Sequence, residues 1–295
     1  MAKILKDTLG LCSAITDREA IAARKHGIPT MRGVLYRVNE DANGNPIFDQ
    51  LTKINENTVV LGGAVLALEK LFGTKPTFIP STINSDPDIG INGNYDDVVD
   101  NKNTYVKCFG VGVGGASSKS FGSYYDPDFK MKKLPEWVPF RISDTDTLDA
   151  SIADRYYYRL QIKDDPDPQW AWYLKEFSNT PYPESHWKDS PDPNSDGTII
   201  TGDVSTSDST NLIETYCECL LKIEEDDIRP YFQWAGNLQM ARYNSIGLFT
   251  GIKKDIGNNY IDYVGVRLFS VVNFNNIPLD LPTSATYLYR VYAAV

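Results

Sequence analysis

The sequence predicts a mainly β protein, an antiparallel sandwich or a barrel-like set of sheets, with a small α-helical part at its N-terminus. Three observations carry that expectation. Apolar and polar residues alternate with period two over 155–163, 214–223, 264–274 and 286–295. Those runs are enriched in β-branched and aromatic residues, and the chain holds 18 tyrosines, whose apolar ring and polar tip suit half-buried sheet surfaces or protein interfaces. Signals that open and close helices occur near the N-terminus instead.

In chain order, Thr16-Asp-Arg-Glu19 has the capping-box pattern, in which a hydroxyl and a carboxylate satisfy each other's backbone donors. Good helix formers continue through Ala20 to Lys25, and Gly27 stands where the helix would stop. Gly33 to Asn39, then Asp41-Ala-Asn-Gly44, then Pro46 to Leu51 reads as a hairpin closed by a turn. Gly63 to Phe72 reads as a second helix, with Val65, Leu68 and Phe72 on one face and Gly73 at its end. In the strand expected over Arg155 to Lys163, Tyr156, Tyr158, Leu160 and Ile162 face one way. In Glu214 to Ile223 the shared face is Cys217, Cys219, Leu221 and Ile223, opposite Glu218 and Lys222. Long Pro- and Asp-rich connections, notably 164–168 and 185–211, separate the strands. Loops beyond about 12–15 residues are uncommon in compact domains unless they are functional or touch a partner. No internal repeat occurs. The expected division is an N-terminal α+β region over 1–100, acting as an arm or assembly contact, and a β-rich structural domain over 101–295.

The 295 residues carry 29 Lys+Arg against 39 Asp+Glu, a formal charge of −10 that repels a phosphate backbone. The clustered Lys130, Lys132 and Lys133 are too few to offset it, so no nucleic acid is expected as partner. No run approaches the ~18–20 apolar residues of a spanning helix, and Asp7 and Gly10 interrupt the short apolar stretch a leader would need, so no membrane is expected either. Cys12, Cys108, Cys217 and Cys219 are too sparse for a disulfide framework, which points to reduced thiols and synthesis in the cytoplasm.

Each motif has a functional and a plain structural reading. Gly110-Val-Gly112-Val-Gly114-Gly115 satisfies the dinucleotide fingerprint, but no helix pattern follows to receive a pyrophosphate; a flexible or close-packed glycine stretch is the better reading. Asp192, Asn194 and Asp196, with Gly197 at position six, match the first half of a calcium loop, with Thr198 and Asp203 as further oxygen ligands. Asp203 is shorter than the usual bidentate Glu and neither flank looks helical, so a surface turn of Asp, Asn, Pro and Gly competes with calcium there. Asp144, Asp146, Asp149 and Asp154, like Glu224 to Asp227, read as exposed acids rather than a converging acid/base pair. Cys217 and Cys219 are too close for a metal knuckle and read as core residues. The two histidines, His26 and His186, come with no nucleophile elbow, so no catalytic residues and no cofactor are expected and the chain reads as a non-enzyme.

From about residue 104 onward the sequence resembles virion structural proteins of tailed bacteriophages, above all the large contractile-tailed ones. The segments that carry the resemblance include Lys107 to Gly115, Tyr125 to Phe129, Leu134 to Ile142, Tyr156 to Arg159, Trp172 to Lys175 and Glu214 to Ile223. The closing block runs through Met240 to Thr250, Leu268 to Phe274 and Tyr287 to Tyr292. The resemblance implies a role in the neck, tail or baseplate of a virion, in a protein made in the host cytoplasm, with itself and other virion proteins as partners in a symmetric assembly. Trp170, Trp172, Tyr173, Tyr182 and Trp187 are then candidate contact residues, with core filling as the competing reading. The alternative is a carbohydrate-binding β-sandwich module holding calcium at the Asp192 loop, and behind it a glycosidase.

Overall fold

The computed structural model describes residues 30–52, 57–59, 105–113, 137–188, 198–199, 212–255, 257, 260–279 and 284–294. Fourteen strands and one short helix are found there: β1 (Thr30–Glu40), β2 (Pro46–Gln50), β3 (Asn57–Val59), β4 (Tyr105–Gly112), β5 (Trp137–Val138), β6 (Arg141–Ser143), β7 (Tyr156–Lys163), β8 (Gln169–Glu176), β9 (Pro183–Lys188), β10 (Thr198–Ile199), β11 (Leu212–Ile223), α1 (Arg229–Trp234), β12 (Arg242–Asp255), β13 (Ile261–Pro278) and β14 (Ala285–Ala294). The protein is mainly antiparallel β. The helices expected over 16–27 and 63–73 lie outside the described residues.

One sheet has six strands in the order β10-β9-β11-β14-β1-β2; the other has eight, β3-β13-β12-β4-β8-β6, with β5 on β4 and β7 on β8. Contacts gather the chain into two units, one from 1–58, 178–220 and 287–295, the other from 59–177 and 221–286. The expected division at residue 100 is a different cut, and the residues on both sides of it, 60–104, lie outside the described ones.

In the first unit the expected hairpin forms, with Val38 opposite Phe48 and Glu40 opposite Pro46. Its turn is held by Asp41, whose Oδ1 accepts from the backbone N–H of Asn43 (2.7 Å) and Asn45 (2.8 Å). Gly44 takes φ +81, a conformation open mainly to glycine. Val34, Tyr36, Tyr216, Leu288 and Tyr292 form the core on one face of this sheet.

The second unit is built around the β12–β13 hairpin, with β4 on the other side of β12. On β8, Trp172 pairs with both Arg141 and Arg159, and Lys175 with both Phe109 and Tyr156, so β7 runs along the side of β8 away from β4 and β6. The sheet then curls until β7 meets β13. There the Asp262 carboxylate accepts the backbone N–H of Tyr158 (2.6 Å) and Arg159 (3.1 Å), standing in for a ladder carbonyl.

That closure breaks the period-two pattern expected in β7. Tyr158 sits at φ +59, and Tyr157, Tyr158 and Leu160 all enter the core with Trp137, Tyr173, Phe249 and Tyr263. Tyr156 leaves the set expected to share its face and packs against Phe140, ring centroids 6.3 Å apart. A left-handed residue resets the side-chain alternation, so no strict two-residue period survives it.

Gly110 and Gly247 face each other across β4 and β12. A Cβ on Gly110 would stand 3.1 Å from Phe249 Cε2, and one on Gly247 only 2.4 Å from Trp137 Cη2. Both glycines leave room for the Trp137 indole, which accounts for the glycine pattern by close packing; Gly114 and Gly115 lie outside the described residues.

Candidate functional site

The aromatic residues expected at contacts divide between core and surface. Trp172 and Tyr173 are buried, because β8 is covered on both faces from Ala171 to Lys175. For these two the competing reading, core filling, describes their place. The Trp172 indole N–H donates to Tyr260 Oη at 3.1 Å. Trp170 is half-buried, with the Arg159 guanidinium over its ring at 4.7 Å and over Tyr260 at 4.1 Å, so its face is used inside the chain. Arg159 also ion-pairs with Asp146 at 3.3 Å. Tyr182 is 65% exposed. Trp187 sits in β9 opposite Ile213, and its side chain lies outside the described residues.

Of the candidate calcium ligands, Thr198 opens β10, paired with Trp187, while Asp192, Asn194, Asp196 and Asp203 lie outside the described residues. Among the described residues, no group of three or more His, Cys, Asp or Glu side chains is placed to hold a metal ion, and no helix is long and apolar enough to cross a membrane. His186 is buried, stacked on Tyr216 (4.7 Å) with Nε2 3.3 Å from Glu184. Burial pushes the Cys219 thiol up to about 12 and that of Cys108 well above its ordinary value, which holds both sulfurs protonated and unreactive.

Asp144, Asp146, Asp149 and Asp154 are exposed, as their loop setting suggests. Glu224 and Asp227 are not, and here the expectation of an exposed acidic run is corrected. The chain after β11 turns sharply: Asp227 N–H bonds the Glu224 carbonyl (3.0 Å), Ile228 takes φ +67, and Ile228 N–H reaches the Phe140 carbonyl (2.8 Å). This turn drives the Asp227 side chain into full burial among residues from β6, β7 and β8.

Around Asp227 the groups are closely matched. Lys175 Nζ is 2.8 Å from Oδ2, Arg141 Nε is 3.0 Å from Oδ1, and Tyr156 Oη donates to Oδ1 at 2.7 Å. Glu224 N–H donates to Oδ2 at 2.8 Å. The Glu224 carboxylate closes the rim, 3.7 Å from Lys175 Nζ and 2.9 Å from Arg155. Burial lowers the Lys175 ammonium from its ordinary value, and Asp227 and Glu224 only partly restore it. Burial acts on Arg141 in the same sense, yet Asp227 and Tyr156 outweigh it and hold that guanidinium above its ordinary value. Burial would raise the Glu224 carboxyl, but Lys175, Arg155 and Lys222 overcome it and hold the group ionised. Burial and the Asp227 charge together raise the Tyr156 phenol, which therefore acts as a donor.

Comparison with protein families, with curated proteins and with solved structures finds no match. The assignment of function therefore rests on the chain's own residues. The buried cluster left one trace in the sequence, a lysine directly after the apolar run Ala171 to Leu174, since a charge in a strand covered on both faces needs a partner. Nothing in the run Glu224 to Asp227 marks which acid that partner is.

Proposed function

We propose that this chain is a non-enzymatic structural protein of a tailed-bacteriophage virion, joining or decorating neck, tail or baseplate components through protein–protein contacts. The observation that carries this reading is β2. Among the described residues it is the outer strand of the six-stranded sheet, is exposed along its length, and turns Ile47 and Phe48 (44% and 46% exposed) to solvent. Pro46 and Asp49 limit pairing along this strand, but the exposed Ile47 and Phe48 leave apolar surface of the kind assembling chains use to meet neighbours. Exposed Tyr105, Tyr182 and Trp234 add the residue types favoured at protein interfaces. In this reading the antiparallel sheets are the body and the N-terminal helical part is an assembly arm. The −10 charge keeps the chain soluble until it meets its neighbours.

The test is the absolute mass of the purified chain by light scattering over a range of concentrations. Discrete or concentration-dependent oligomers, lost in Phe48→Asp with the fold intact, are the expected result. A strict monomer that binds glycans would overturn the reading in favour of a carbohydrate-binding module.

A further inference from the structure

The Asp227 cluster holds more than an ion pair. A primary amine and a carboxyl group lie in contact, Lys175 Nζ to Asp227 Oδ2 at 2.8 Å, on side chains only 4% and 0% exposed. The other carboxyl oxygen, Oδ1, accepts from Tyr156 Oη at 2.7 Å and lies 3.0 Å from Nε of the Arg141 guanidinium, an ion-pair contact. A second carboxylate, Glu224, stands 3.7 Å from the same amine. Nucleophile, electrophile, a hydroxyl donor and a positive charge able to stabilise an oxyanion, and a base are thus gathered where little water enters.

We propose that Lys175 and Asp227 become joined by an amide bond within the folded chain, with Glu224 as the base. Glu224 passes a proton from the Lys175 ammonium to Asp227 Oδ2, and the neutral amine attacks Cγ of the carboxylic acid so formed. The negative charge of the tetrahedral intermediate rests on Oδ1, against the Tyr156 hydroxyl and the Arg141 guanidinium. Glu224 then relays a second proton from nitrogen to Oδ2. The C–Oδ2 bond breaks, water departs, and the C–N bond remains. Three protons on nitrogen become one on the amide and two on the water, Glu224 ends as the carboxylate it began as, and no oxidant or co-reactant takes part.

Physical arguments favour the step. Holding two reacting groups in contact replaces a bimolecular encounter, with effective concentrations of about 10⁵–10⁸ M for well-oriented pairs. Burial already lowers the Lys175 ammonium, which raises the share of neutral amine. The reaction also removes two buried charges, whose desolvation is a standing cost of the unreacted pair. Arg141 keeps Glu224 at 3.8 Å and Asp226 at 3.9 Å as counter-charges afterwards. This inference does not rest on the virion reading.

Intact-mass spectrometry of the folded chain tests it, with peptide mapping under denaturing conditions. The expected result is a mass below that of the sequence by one water, a branched peptide linking Lys175 to Asp227, and full sequence mass in Glu224→Gln whose circular dichroism matches the wild type. A folded wild type that keeps the full sequence mass after days at neutral pH overturns the proposal. So does a water loss with no branched peptide, or a branched peptide formed equally fast in Glu224→Gln.

Discussion

Two carboxylates in the same unit, Asp227 and Asp262, are both fully buried, yet they are satisfied by opposite means. Asp227 is met by side chains, the charged Lys175 and Arg141 and the Tyr156 hydroxyl, with one backbone N–H from Glu224. Asp262 accepts hydrogen bonds from the backbone instead, the N–H groups of Tyr158 (2.6 Å), Arg159 (3.1 Å) and Tyr263 (2.7 Å). Burial raises the Asp262 carboxyl, and its three backbone donors together with nearby Arg159 offset this only in part. The difference shows two uses of a buried acid. Asp227 pins a sharp turn onto three strands through their side chains, whereas Asp262 supplies the acceptor that a curling sheet lacks where β7 meets β13.

Removing each acid separates these uses. Asp227→Ala strands Lys175 and Arg141 in the interior, so a loss of about 3–5 kcal/mol is expected in urea unfolding, the largest effect of the series. Asp262→Ala orphans three N–H groups but also removes an incompletely compensated charge, and a loss of about 2–3 kcal/mol is expected. Equal losses in the two variants would mean that charge pairing adds nothing at Asp227 beyond filling its place.

Acidity tells them apart further. Because the Asp262 pKa is raised in the folded chain, the folded state keeps a proton that the unfolded chain has already lost. The stability this adds is complete below the ordinary carboxylate value of 3.8 and is lost as pH rises through the higher folded value. Asp262→Asn, which cannot titrate, should flatten that part of the urea-midpoint profile relative to wild type. A profile unchanged by the substitution would remove Asp262 as its source. Smallest of all, Arg155→Ala deletes a rim contact to Glu224 on a half-exposed side chain, and less than about 1 kcal/mol, diminishing with salt, is expected. A larger loss would show the rim of the cluster to be as important as its centre.

The strands over 155–163, 214–223, 264–274 and 286–295 and the hairpin at Asp41 to Gly44 were legible because their signals are local: alternation of side chains and a turn whose residues bond their own backbone. The candidate contact residues were less so. An aromatic residue looks the same in sequence whether protein or solvent covers it, so Trp172 in β8 and Tyr182 in the loop before β9 differ only in the folded chain. The acidic runs at Asp144 and Glu224 are likewise alike in composition, and the left-handed Ile228 beside Asp227 is what turns one of them inward.

The amino-acid sequence by itself determined the β class, the hairpin turn and the strands with clear alternation, because each depends on residues a few positions apart. It did not determine β8, β9 or β12, and β9 and β10 form partly within the stretch 185–211 read as a connection. Only the tertiary structure decided that Gly110 and Gly247 make room for Trp137, that a left-handed Tyr158 takes Tyr156 off its strand's shared face, and that Lys175 meets Asp227 across 52 positions of chain. Those outcomes depend on which distant segments share a low-dielectric interior, where an unpaired charge or a misplaced methyl group costs most.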